Sequence, residues 1–412
     1  MHHFTMKNGT LFAEDVNVKE LARQYGTPLY IYSTATLTRH FQAFDSAFDS
    51  VDHLTCYSVK ANSNLSVLRL LAGLGAGMDI VSGGELYRAL LAGVKADRIV
   101  YSGVGKKPAE IAQALSAGIL MFNVESVQEL IRINDVAREM GKTARVSFRI
   151  NPDVDPKTHP YISTGMKKNK FGLSIESALD AYAMARDLPG IEPVGMDCHI
   201  GSQLTTIDPF LEALDKLLVF YDKLKAMNLD IRYLDLGGGL GIPYNEEEPP
   251  HPKEFGAALT KAIDGLPLKV VLEPGRVIVG NAGILVTEVL YTKQTSTKTF
   301  VIVDAAMNDL VRPSLYGSFH RIEEVEPQGR GALDVDVVGP ICESGDFLAK
   351  DRQLAEVRQG ELLAVYSAGA YGFTMSSNYN TRTRAAEILV DGDRAIVARR
   401  RETYESLVAN EI

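Results

Sequence analysis

Short apolar runs rich in β-branched residues recur along most of the chain, and segments with the three-to-four spacing of amphipathic helices separate them. GELYRALLAG and SVQELIRINDVAREM are two of these helical segments. Eight strand-like runs that alternate with helices predict eight βα units, closed into a parallel (β/α)8 TIM barrel over residues 33–285. The runs are LTCYSVKAN (54–62), AGMDIVSG (76–83), DRIVYSGVGK (97–106), ILMFNVES (119–126), ARVSFRINP (144–152), EPVGMDCHIGS (192–202), IRYLDLGGG (231–239) and LKVVLEPGR (268–276).

The pattern changes near residue 286, where short runs alternate polar and apolar positions with little helix between them, as in ILVTEVLYTKQ, KTFVIVDAA and RAIVARR. Such runs are typical of an antiparallel β domain, a sandwich or a small barrel. GTPLYIYS (26–33) also resembles a strand and is expected to join this sheet. The second predicted domain therefore comprises residues 1–32 and 286–412.

One connection in the predicted barrel is too long for an ordinary βα loop. It is NPDVDPKTHPYISTGMKKNKFG, residues 151–172. Because structureless loops of this length in compact domains are usually functional or disordered, we expect this segment to be an active-site lid.

Composition excludes several classes of protein. A length of 412 residues predicts two domains, and a net charge of -9 argues against a nucleic-acid partner. No apolar run is long enough to span a bilayer, and the first residues lack the features of a signal peptide. The cysteines, Cys56, Cys198 and Cys342, are far apart and lack metal-ligand spacing, which favours a reducing cytoplasm and no structural metal.

Polar residues that packing does not require fall at the ends of the predicted barrel strands. A parallel barrel carries its chemistry at the carboxyl ends of its strands, so we expect these side chains to share one rim. They are Lys60, Asp79, Ser82, Arg149, His199, Ser202, the glycines 237–239, Glu273 and Arg276.

Each of these motifs also has a purely structural interpretation. Lys60 can be a rim lysine whose stem packs on apolar surface, or an amine that forms an imine with an aldehyde. GGGLG (237–241) can be a tight turn or an anion-binding loop. HIGSQ (199–203) offers either a structural histidine or a ring that stacks on a planar cofactor, and EPGR (273–276) either an exposed ion pair or a carboxylate for a pyridine nitrogen.

The second predicted domain carries three further polar motifs. CESGD (342–346) places a cysteine close to two acidic residues, Glu343 and Asp346, in a glycine-containing loop, which indicates an exposed acid rather than a core residue. AGAYG (368–372) holds a tyrosine between glycines, and RPSLYGSFH (312–320) combines an arginine, a tyrosine and a histidine.

In this order the motifs resemble the fold-type III pyridoxal-phosphate decarboxylases. The resemblance runs through YSVKAN, SGGEL, HIGSQ, GGGLGIPY, EPGR, RPSLYGSFH, CESGD and AYG, and so covers nearly the whole chain. It implies a carboxy-lyase whose small-molecule substrate is an amino acid. The motifs match best the members that convert meso-2,6-diaminopimelate to L-lysine and carbon dioxide, the last step of lysine biosynthesis.

The resemblance also implies where pyridoxal 5'-phosphate binds. Lys60 would carry it as a Schiff base, His199 would stack on its ring, and Glu273 would face its pyridine nitrogen. The groups implied to hold its phosphate are Ser202, Gly237, Gly238, Gly239 and the backbone of Glu273, Pro274, Gly275 and Arg276.

For the substrate, the resemblance implies that three side chains bind the carboxylate at its far end, namely Arg276, Arg312 and Tyr316. Glu343 would receive the far amino group, Tyr371 would contact cofactor and substrate, and Cys342 would donate a proton. Asp79 and Arg149 would support the site from behind. The family is built as a head-to-tail homodimer in which the CESGD loop completes the neighbour's site.

Other activities explain fewer of these motifs. A Schiff-base aldolase has no use for GGGLG, Glu273 and a β domain together, and a non-catalytic cofactor carrier does not need Cys342 or Arg312. Alanine racemase shares the implied fold and cofactor, but its small substrate needs no groups for a distal end. Ornithine, arginine and carboxynorspermidine decarboxylases are nearer alternatives, although a substrate ending in a cation leaves Arg312 only a structural ion pair.

Overall fold

A computed structural model describes residues 2–155 and 170–412. Its backbone divides into two compact units. The barrel unit comprises Phe41–Ile242 and Glu248–Gly275, and the β unit comprises Met1–His40, Pro243–Glu247 and Arg276–Ile412. Residues 156–169, the middle of the expected lid, lie outside the described part of the chain. The predicted domain limits, 33–285 and 1–32 with 286–412, stay a prediction.

The barrel unit contains eight parallel strands that close on themselves. Each strand pairs with the next along the chain, and the last, Lys269–Leu272, pairs with the first, His53–Ser58. The predicted (β/α)8 barrel is therefore confirmed. The eight strands are His53–Ser58, Gly77–Ile80, Ile99–Tyr101, Met121–Val124, Ala144–Asn151, Ile191–Asp197, Tyr233–Asp235 and Lys269–Leu272. A two-residue strand, Leu173–Ser174, extends the pairing beside Ala144–Asn151.

Helices follow the strands of the barrel unit, and their ends obey local sequence rules. The Oγ of Ser82 and the Oγ of Ser126 each accept a hydrogen bond, at 3.2 Å, from the backbone N–H of the residue three positions later. Each serine therefore caps the start of the helix that follows it. The helices are Leu65–Gly73, Gly83–Leu91, Pro108–Ala117, Val127–Glu139, Ile175–Asp187, Asp208–Ala226 and Pro252–Ala262, with short 3-10 turns at Ser46–Phe48, Val59–Ala61 and Ala96–Arg98. In the described part of the chain, no helix has both the length and the apolar character needed to cross a membrane.

The β unit is built on one branched nine-stranded sheet and a small N-terminal sheet. Leu29–Ser33 joins the large sheet, as GTPLYIYS predicted, and lies between Gly283–Gln294 and Ala386–Asp391. The large sheet follows the order Phe347–Ala355, Ala332–Val338, Thr299–Val303, Gly283–Gln294, Leu29–Ser33, Ala386–Asp391 and Arg394–Arg399. Leu362–Val365 branches off by pairing with Gly283–Gln294, and Ile322–Glu324 pairs in turn with Leu362–Val365. The small sheet is Phe4–Lys7, Thr10–Ala13 and Val16–Asn17.

Most pairings of the large sheet are antiparallel, as predicted, but two are parallel. Thr299–Val303 runs parallel to Ala332–Val338, and Leu29–Ser33 runs parallel to Ala386–Asp391. The strands of the second pair come from opposite ends of the chain, so no hairpin forces them to be antiparallel.

Apolar residues from the N-terminal segment pack against the large sheet. Leu11, Val18 and Leu21 are buried in one cluster with Ile31, Ile284, Val286 and Ile388. The helices of this unit are Val18–Tyr25, Arg276–Val279, Arg312–Tyr316 and Tyr404–Val408, with 3-10 turns at Gly280–Ala282, Phe373–Met375 and Tyr379–Thr381, and Thr34–Asp45 leads from it into the barrel unit.

Candidate active site

Lys60 lies just beyond the carboxyl end of the first barrel strand, in the short turn Val59–Ala61. Its Nζ donates a hydrogen bond to Asp79 Oδ2 at 2.5 Å, and the Lys60 side chain is 35% exposed while Asp79 is fully buried. Ser58 Oγ donates to the same carboxylate oxygen at 2.9 Å, so Asp79 is fixed from below. The opposite oxygen, Asp79 Oδ1, is buried with no hydrogen-bond partner among the described residues. A lysine amine is thus held at the mouth of the barrel by a rigid acid.

Three buried carboxyl groups meet inside the same end of the barrel. One oxygen from each of Asp197, Asp235 and Glu273 lies within 4.8 Å of the others. Burial raises the pKa of Asp235 to about 8, with further contribution from Asp197. Burial, together with Asp235 and Asp79, also raises the pKa of Glu273 well above its usual range. Lys60 and Arg149 act in the opposite direction on Glu273 but do not cancel the effect of burial, so the raised pKa values favour protonated carboxyl groups in this cluster at neutral pH.

The Asn123 amide links two members of this carboxyl cluster. Asn123 Nδ2 lies 3.0 Å from Asp235 Oδ2 and 3.2 Å from Glu273 Oε1. Ser147 Oγ donates to Asn123 Oδ1 at 2.6 Å, which fixes the orientation of the amide because a hydroxyl donates to its oxygen. Ser102 Oγ also donates to Glu273 Oε1, at 3.2 Å. The Oε1 side of Glu273 is thereby anchored.

His199 follows the sixth barrel strand and is held through both backbone and ring. Gly238 N–H donates to its Nδ1 at 3.1 Å, so the neutral ring carries its proton on Nε2. Burial, with Arg149 and Lys60 nearby, lowers the pKa of His199 well below its usual value. Arg149 donates to the His199 carbonyl at 3.2 Å and to Glu125 Oε1 at 3.0 Å. A buried ion pair thus positions the segment that carries the histidine.

The glycine loop after the seventh strand approaches the neighbouring backbone too closely for a side chain. A Cβ on Gly238 would lie 2.1 Å from the Glu273 carbonyl oxygen, and one on Gly239, whose φ is +119°, would lie 2.5 Å from the Gly201 oxygen. Ser202 follows Gly201 in the chain and is half-buried. In the neighbouring EPGR motif, the Pro274 carbonyl accepts a hydrogen bond from the Ser58 N–H at 3.0 Å. The glycines are therefore required for the loop to fit against the strand ends.

A second polar cluster lies within the β unit, around Tyr244. Arg276 Nη1 donates to Tyr244 Oη at 2.5 Å, and the Arg312 guanidinium lies 4.5 Å from the centre of the same ring. Arg276 also lies 4.9 Å from the ring of Tyr371, whose φ is +56°. The half-buried Tyr316 ends the short helix Arg312–Tyr316. Two buried arginines and three tyrosines thus share one region.

Cys342 and Glu343 occupy an exposed turn of the β unit. The Cys342 N–H donates to Asn380 Oδ1 at 3.0 Å, and Glu343 Oε1 accepts from the Gly345 N–H at 3.1 Å. The exposure of Cys342 agrees with its position in CESGD, whereas Cys56 and Cys198 are buried. Asp346 closes the turn by accepting N–H groups from Met307 and Ile341, both at 2.7 Å.

A family model described as "Pyridoxal-dependent decarboxylase, pyridoxal binding domain" matches residues 34–280. The chain belongs to the pyridoxal-dependent decarboxylases. Curated relatives named diaminopimelate decarboxylase, from Pseudomonas fluorescens and Haemophilus influenzae, are 54% and 52% identical to it; both alignments cover 100% of this chain and 99% of the relative. A structure titled as diaminopimelate decarboxylase from Helicobacter pylori complexed with L-lysine is 45% identical with a TM-score of 0.93, covering 96% of this chain and 99% of that one.

The barrel mouth of this pyridoxal-dependent decarboxylase fits the cofactor of its family. Lys60 is a partly exposed amine beside an acid, and Glu273 is a buried carboxyl whose Oε1 is anchored by Asn123 and Ser102. A protonated ring nitrogen at Glu273 would favour its ionised form and lower the raised pKa described above. Lys60, His199, Glu273 and the glycine loop are the groups that would hold pyridoxal phosphate.

Several residues of both clusters carry no role in the sequence-based prediction. Asn123, Asp197, Asp235 and Glu125 complete the barrel site, and Tyr244 joins the arginines of the β unit. A signal for Asn123 exists, since an amide in the middle of the apolar run ILMFNV has no reason to be buried unless it is hydrogen-bonded. Tyr244 ends the GGGLGIPY motif, but no sequence pattern places it beside Arg276 and Arg312, because these contacts join elements distant in sequence.

Proposed function

We propose that this chain decarboxylates meso-2,6-diaminopimelate to L-lysine and carbon dioxide, the last step of lysine biosynthesis, with pyridoxal phosphate bound at the barrel mouth. The observation that carries the proposal is the Lys60 amine, 2.5 Å from Asp79, at the mouth of a barrel that matches the pyridoxal family. The full-length similarity to relatives named diaminopimelate decarboxylase supports the same reaction.

The residues of the barrel mouth divide the work around the cofactor. When bound, pyridoxal phosphate supplies an electron-withdrawing ring that takes up the electron pair left by the departing carboxylate. Lys60 would hold the cofactor through its nitrogen, and Asp79 orients that amine before binding. Glu273 would hold the ring nitrogen in its protonated form, while the Asn123 amide keeps Oε1 in place. His199 would cover one face of the ring and exclude water.

The β unit would recognise the far end of the substrate. Arg276, Arg312 and Tyr316 supply positive charge and a hydroxyl for a distal carboxylate, and Glu343 supplies negative charge for a distal ammonium. A substrate that lacks the carboxylate leaves the Arg312 charge, which is 4% exposed, without an anion. Leaving a desolvated charge unpaired typically costs about 2–5 kcal/mol, so we expect meso-diaminopimelate to be preferred over lysine, ornithine and arginine.

The proposed proton donor is the Cys342 thiol, which would pass its Sγ proton to the carbon that has lost carbon dioxide. Cys342→Ala should slow turnover by roughly 10²-fold or more, as loss of a positioned acid typically does, with cofactor binding retained. An unchanged kcat would assign the proton to water or to another side chain.

We further propose a homodimer in which Cys342 and Glu343 complete the neighbouring subunit's site. Both residues lie in an exposed turn of the β unit, available to a second copy. Mixing inactive Lys60→Ala protein with Cys342→Ala protein should then restore activity, because some dimers receive one intact site. No recovery after confirmed subunit exchange would contradict a shared site. The three unpaired cysteines support a reducing cytoplasm as the location.

An absorption spectrum provides the direct test of the reaction class. Purified protein should absorb in the visible as a lysine-bound pyridoxal cofactor does, and Lys60→Ala should abolish both the band and turnover. Lys106→Ala is a suitable contrast, because Lys106 is a buried structural lysine paired with Glu129 at 2.6 Å. A colourless wild type that is active and insensitive to borohydride would overturn the proposal.

The alternative substrate class is a diamine-forming amino acid such as lysine or ornithine. A structure titled as lysine/ornithine decarboxylase from Vibrio vulnificus shares the fold at 23% identity and a TM-score of 0.80, a likeness that indicates the fold alone. The buried Arg312 favours the substrate with a distal carboxylate. Arg312→Ala should raise the KM for diaminopimelate steeply and reduce the preference for diaminopimelate over ornithine. If the wild type turns over ornithine and diaminopimelate equally, diaminopimelate is rejected as the specific substrate.

A further inference from the structure

Arg312 is a buried cation whose described neighbours are all neutral or cationic. Its Nη1 lies 3.1 Å from His320 Nε2, and its Nη2 donates to Ser318 Oγ at 3.2 Å. The Tyr244 ring covers its face at 4.5 Å. Its Nε is buried without a hydrogen-bond partner, and among the described residues no carboxylate forms an ion pair with it. Burial and the nearby Arg276 both lower the pKa of this guanidinium.

Arg149 of the same chain shows how a structural arginine is accommodated. It is similarly buried, but Glu125 lies 3.0 Å from its Nη1 and Phe171 covers its face at 4.8 Å. Burying a charge is costly unless an opposite charge compensates it. The contrast indicates that the anion for Arg312 comes from outside the described chain.

His320 is held in the one neutral form that can accept a hydrogen bond from Arg312. Its Nδ1 lies 2.9 Å from the Tyr366 carbonyl oxygen, which only accepts, so Nδ1 carries the proton. Its Nε2 then presents a lone pair to Arg312. Burial, aided by Arg312, Arg276 and Arg352, lowers the pKa of His320 to about 3. The ring is therefore neutral throughout the physiological range and does not neutralise the guanidinium.

The loop sequence explains how these groups meet. Gly317 has a φ of +61° and ends the helix Arg312–Tyr316 with its N–H bonded to the Pro313 carbonyl at 3.0 Å. This left-handed turn, which favours glycine, reverses the chain so that Ser318 and His320 return to Arg312. Tyr244 adds a contact from a distant segment, with its ring edge-on to His320 at 5.2 Å. It also accepts the hydrogen bond from Arg276.

We propose that His320 and Tyr244 are positioning residues that hold Arg312 as an uncompensated cation for the distal carboxylate of the substrate. The inference rests on the proposed function and deepens it. His320 fixes the guanidinium in its plane from the edge, and Tyr244 fixes it from the face while also holding Arg276. Neither side chain supplies negative charge, so the full attraction of Arg312 is left for the ligand.

Two ligands that differ only in the distal carboxylate, L-lysine and 1,5-diaminopentane, test the proposal on the holoenzyme by calorimetry. The measured quantity is the ratio of their dissociation constants. His320→Asn keeps a donor for Tyr366 but loses the acceptor for Arg312, and should reduce the wild-type preference for L-lysine at least tenfold, as expected for a hydrogen bond to a charged group worth about 1.4 kcal/mol or more. His320→Gln, which restores an acceptor near the Nε2 position, should recover most of that preference.

Tyr244→Leu should also reduce the ratio, whereas Tyr291→Leu, a control at an exposed tyrosine of the same unit, should leave it unchanged. If the buried histidine variants fail to fold, Ser318→Ala removes another acceptor of Arg312 from a half-buried position and should lower the ratio by roughly threefold to tenfold. The affinity for 1,5-diaminopentane and the visible spectrum should remain as in the wild type.

An unchanged ratio in His320→Asn, or in Ser318→Ala where the former does not fold, would overturn the inference. Equal weakening of both ligands would also overturn it, since that result indicates general loosening of the site. A wild type that neither prefers L-lysine over 1,5-diaminopentane nor decarboxylates meso-diaminopimelate would instead overturn the proposed function. A wild type that does both, combined with an unaffected His320→Asn, rejects only the positioning role.

Discussion

Removing Arg149 should destabilise the barrel unit far more than removing an exposed arginine. Arg149 is buried, contacts Glu125 at 3.0 Å and donates to the His199 carbonyl at 3.2 Å. Arg149→Met keeps much of the volume but leaves Glu125 buried with only the Gly172 N–H, at 2.7 Å, on its other oxygen. Breaking a buried pair on one side typically costs about 3–5 kcal/mol.

A double-mutant cycle separates the ion pair from the loss of packing. Glu125→Leu should also be strongly destabilising by itself, because it leaves the Arg149 charge buried and without its acid. The double variant Arg149→Met with Glu125→Leu removes both charges, and should be more stable than the sum of the single changes by about 2 kcal/mol or more. Denaturant unfolding of the holoenzyme, followed by circular dichroism, gives the three differences.

The matched control is Arg232→Met in the same unit. Arg232 contacts Glu192 where both side chains are nearly half exposed, at 45% and 46%. An exposed pair of this kind contributes about 0–1 kcal/mol. If Arg149→Met and Arg232→Met destabilise the protein equally, or if the cycle is additive, the buried pair does not carry the stability assigned to it here. A retained structure with weaker cofactor binding would link the pair to the His199 segment.

Two further outcomes follow from the barrel mouth. Without cofactor, the free energy of unfolding should fall as pH rises from about 4 towards 8. Burial raises the pKa of Asp235 from 3.8 to about 8, so over this window the folded protein keeps a proton that the unfolded chain has lost. Asp235→Asn, which cannot ionise, should make this slope shallower in pH-dependent denaturation, and an equal slope would contradict the assignment. Gly238→Ala should destabilise the protein by about 1–3 kcal/mol, because its Cβ would lie 2.1 Å from the Glu273 carbonyl oxygen. Gly73→Ala, at a helical site with open space around it, is the control and should be neutral or stabilising by up to about 1 kcal/mol. Thermal unfolding of both variants measures the two effects.

The hydrophobic periodicity of the chain was sufficient to predict the barrel and most of the β strands. Strands repeat about every two residues and helices about every 3.6, and the strand and helix segments of this chain are long enough for the two periods to be distinguished. Phe347–Ala355 was not predicted as a strand, because three consecutive charged residues interrupt the apolar pattern of FLAKDRQLA. In the structure, two of these three residues are exposed. The parallel pairing of Leu29–Ser33 with Ala386–Asp391 depends on a contact between opposite ends of the chain, which no local pattern encodes.

The candidate site was predictable where its residues end a strand and not where they meet through folding. Lys60, Glu273 and His199 interrupt apolar runs in the sequence, and the barrel rule then brings them to one end. The Asn123 bridge to Asp235 and Glu273 depends on distances across the closed barrel, which follow from strand stagger rather than from sequence spacing. The roles of the individual site residues stay predictions until the variants above are measured.

Buried cations of this chain differ in whether a carboxylate of the protein compensates their charge. Lys106 with Glu129, at 2.6 Å, and Arg149 with Glu125, at 3.0 Å, are balanced by side chains held in rigid elements, and a ligand would only disturb them. Arg312 is also buried, but its described neighbours are neutral or cationic, so its attraction for an anion remains available. Because an unbalanced buried charge destabilises a folded protein, its retention needs a compensating gain. Binding of a substrate carboxylate, as proposed above, would supply that gain, and the neutral His320 beside Arg312 is the feature that distinguishes this arginine from Arg149.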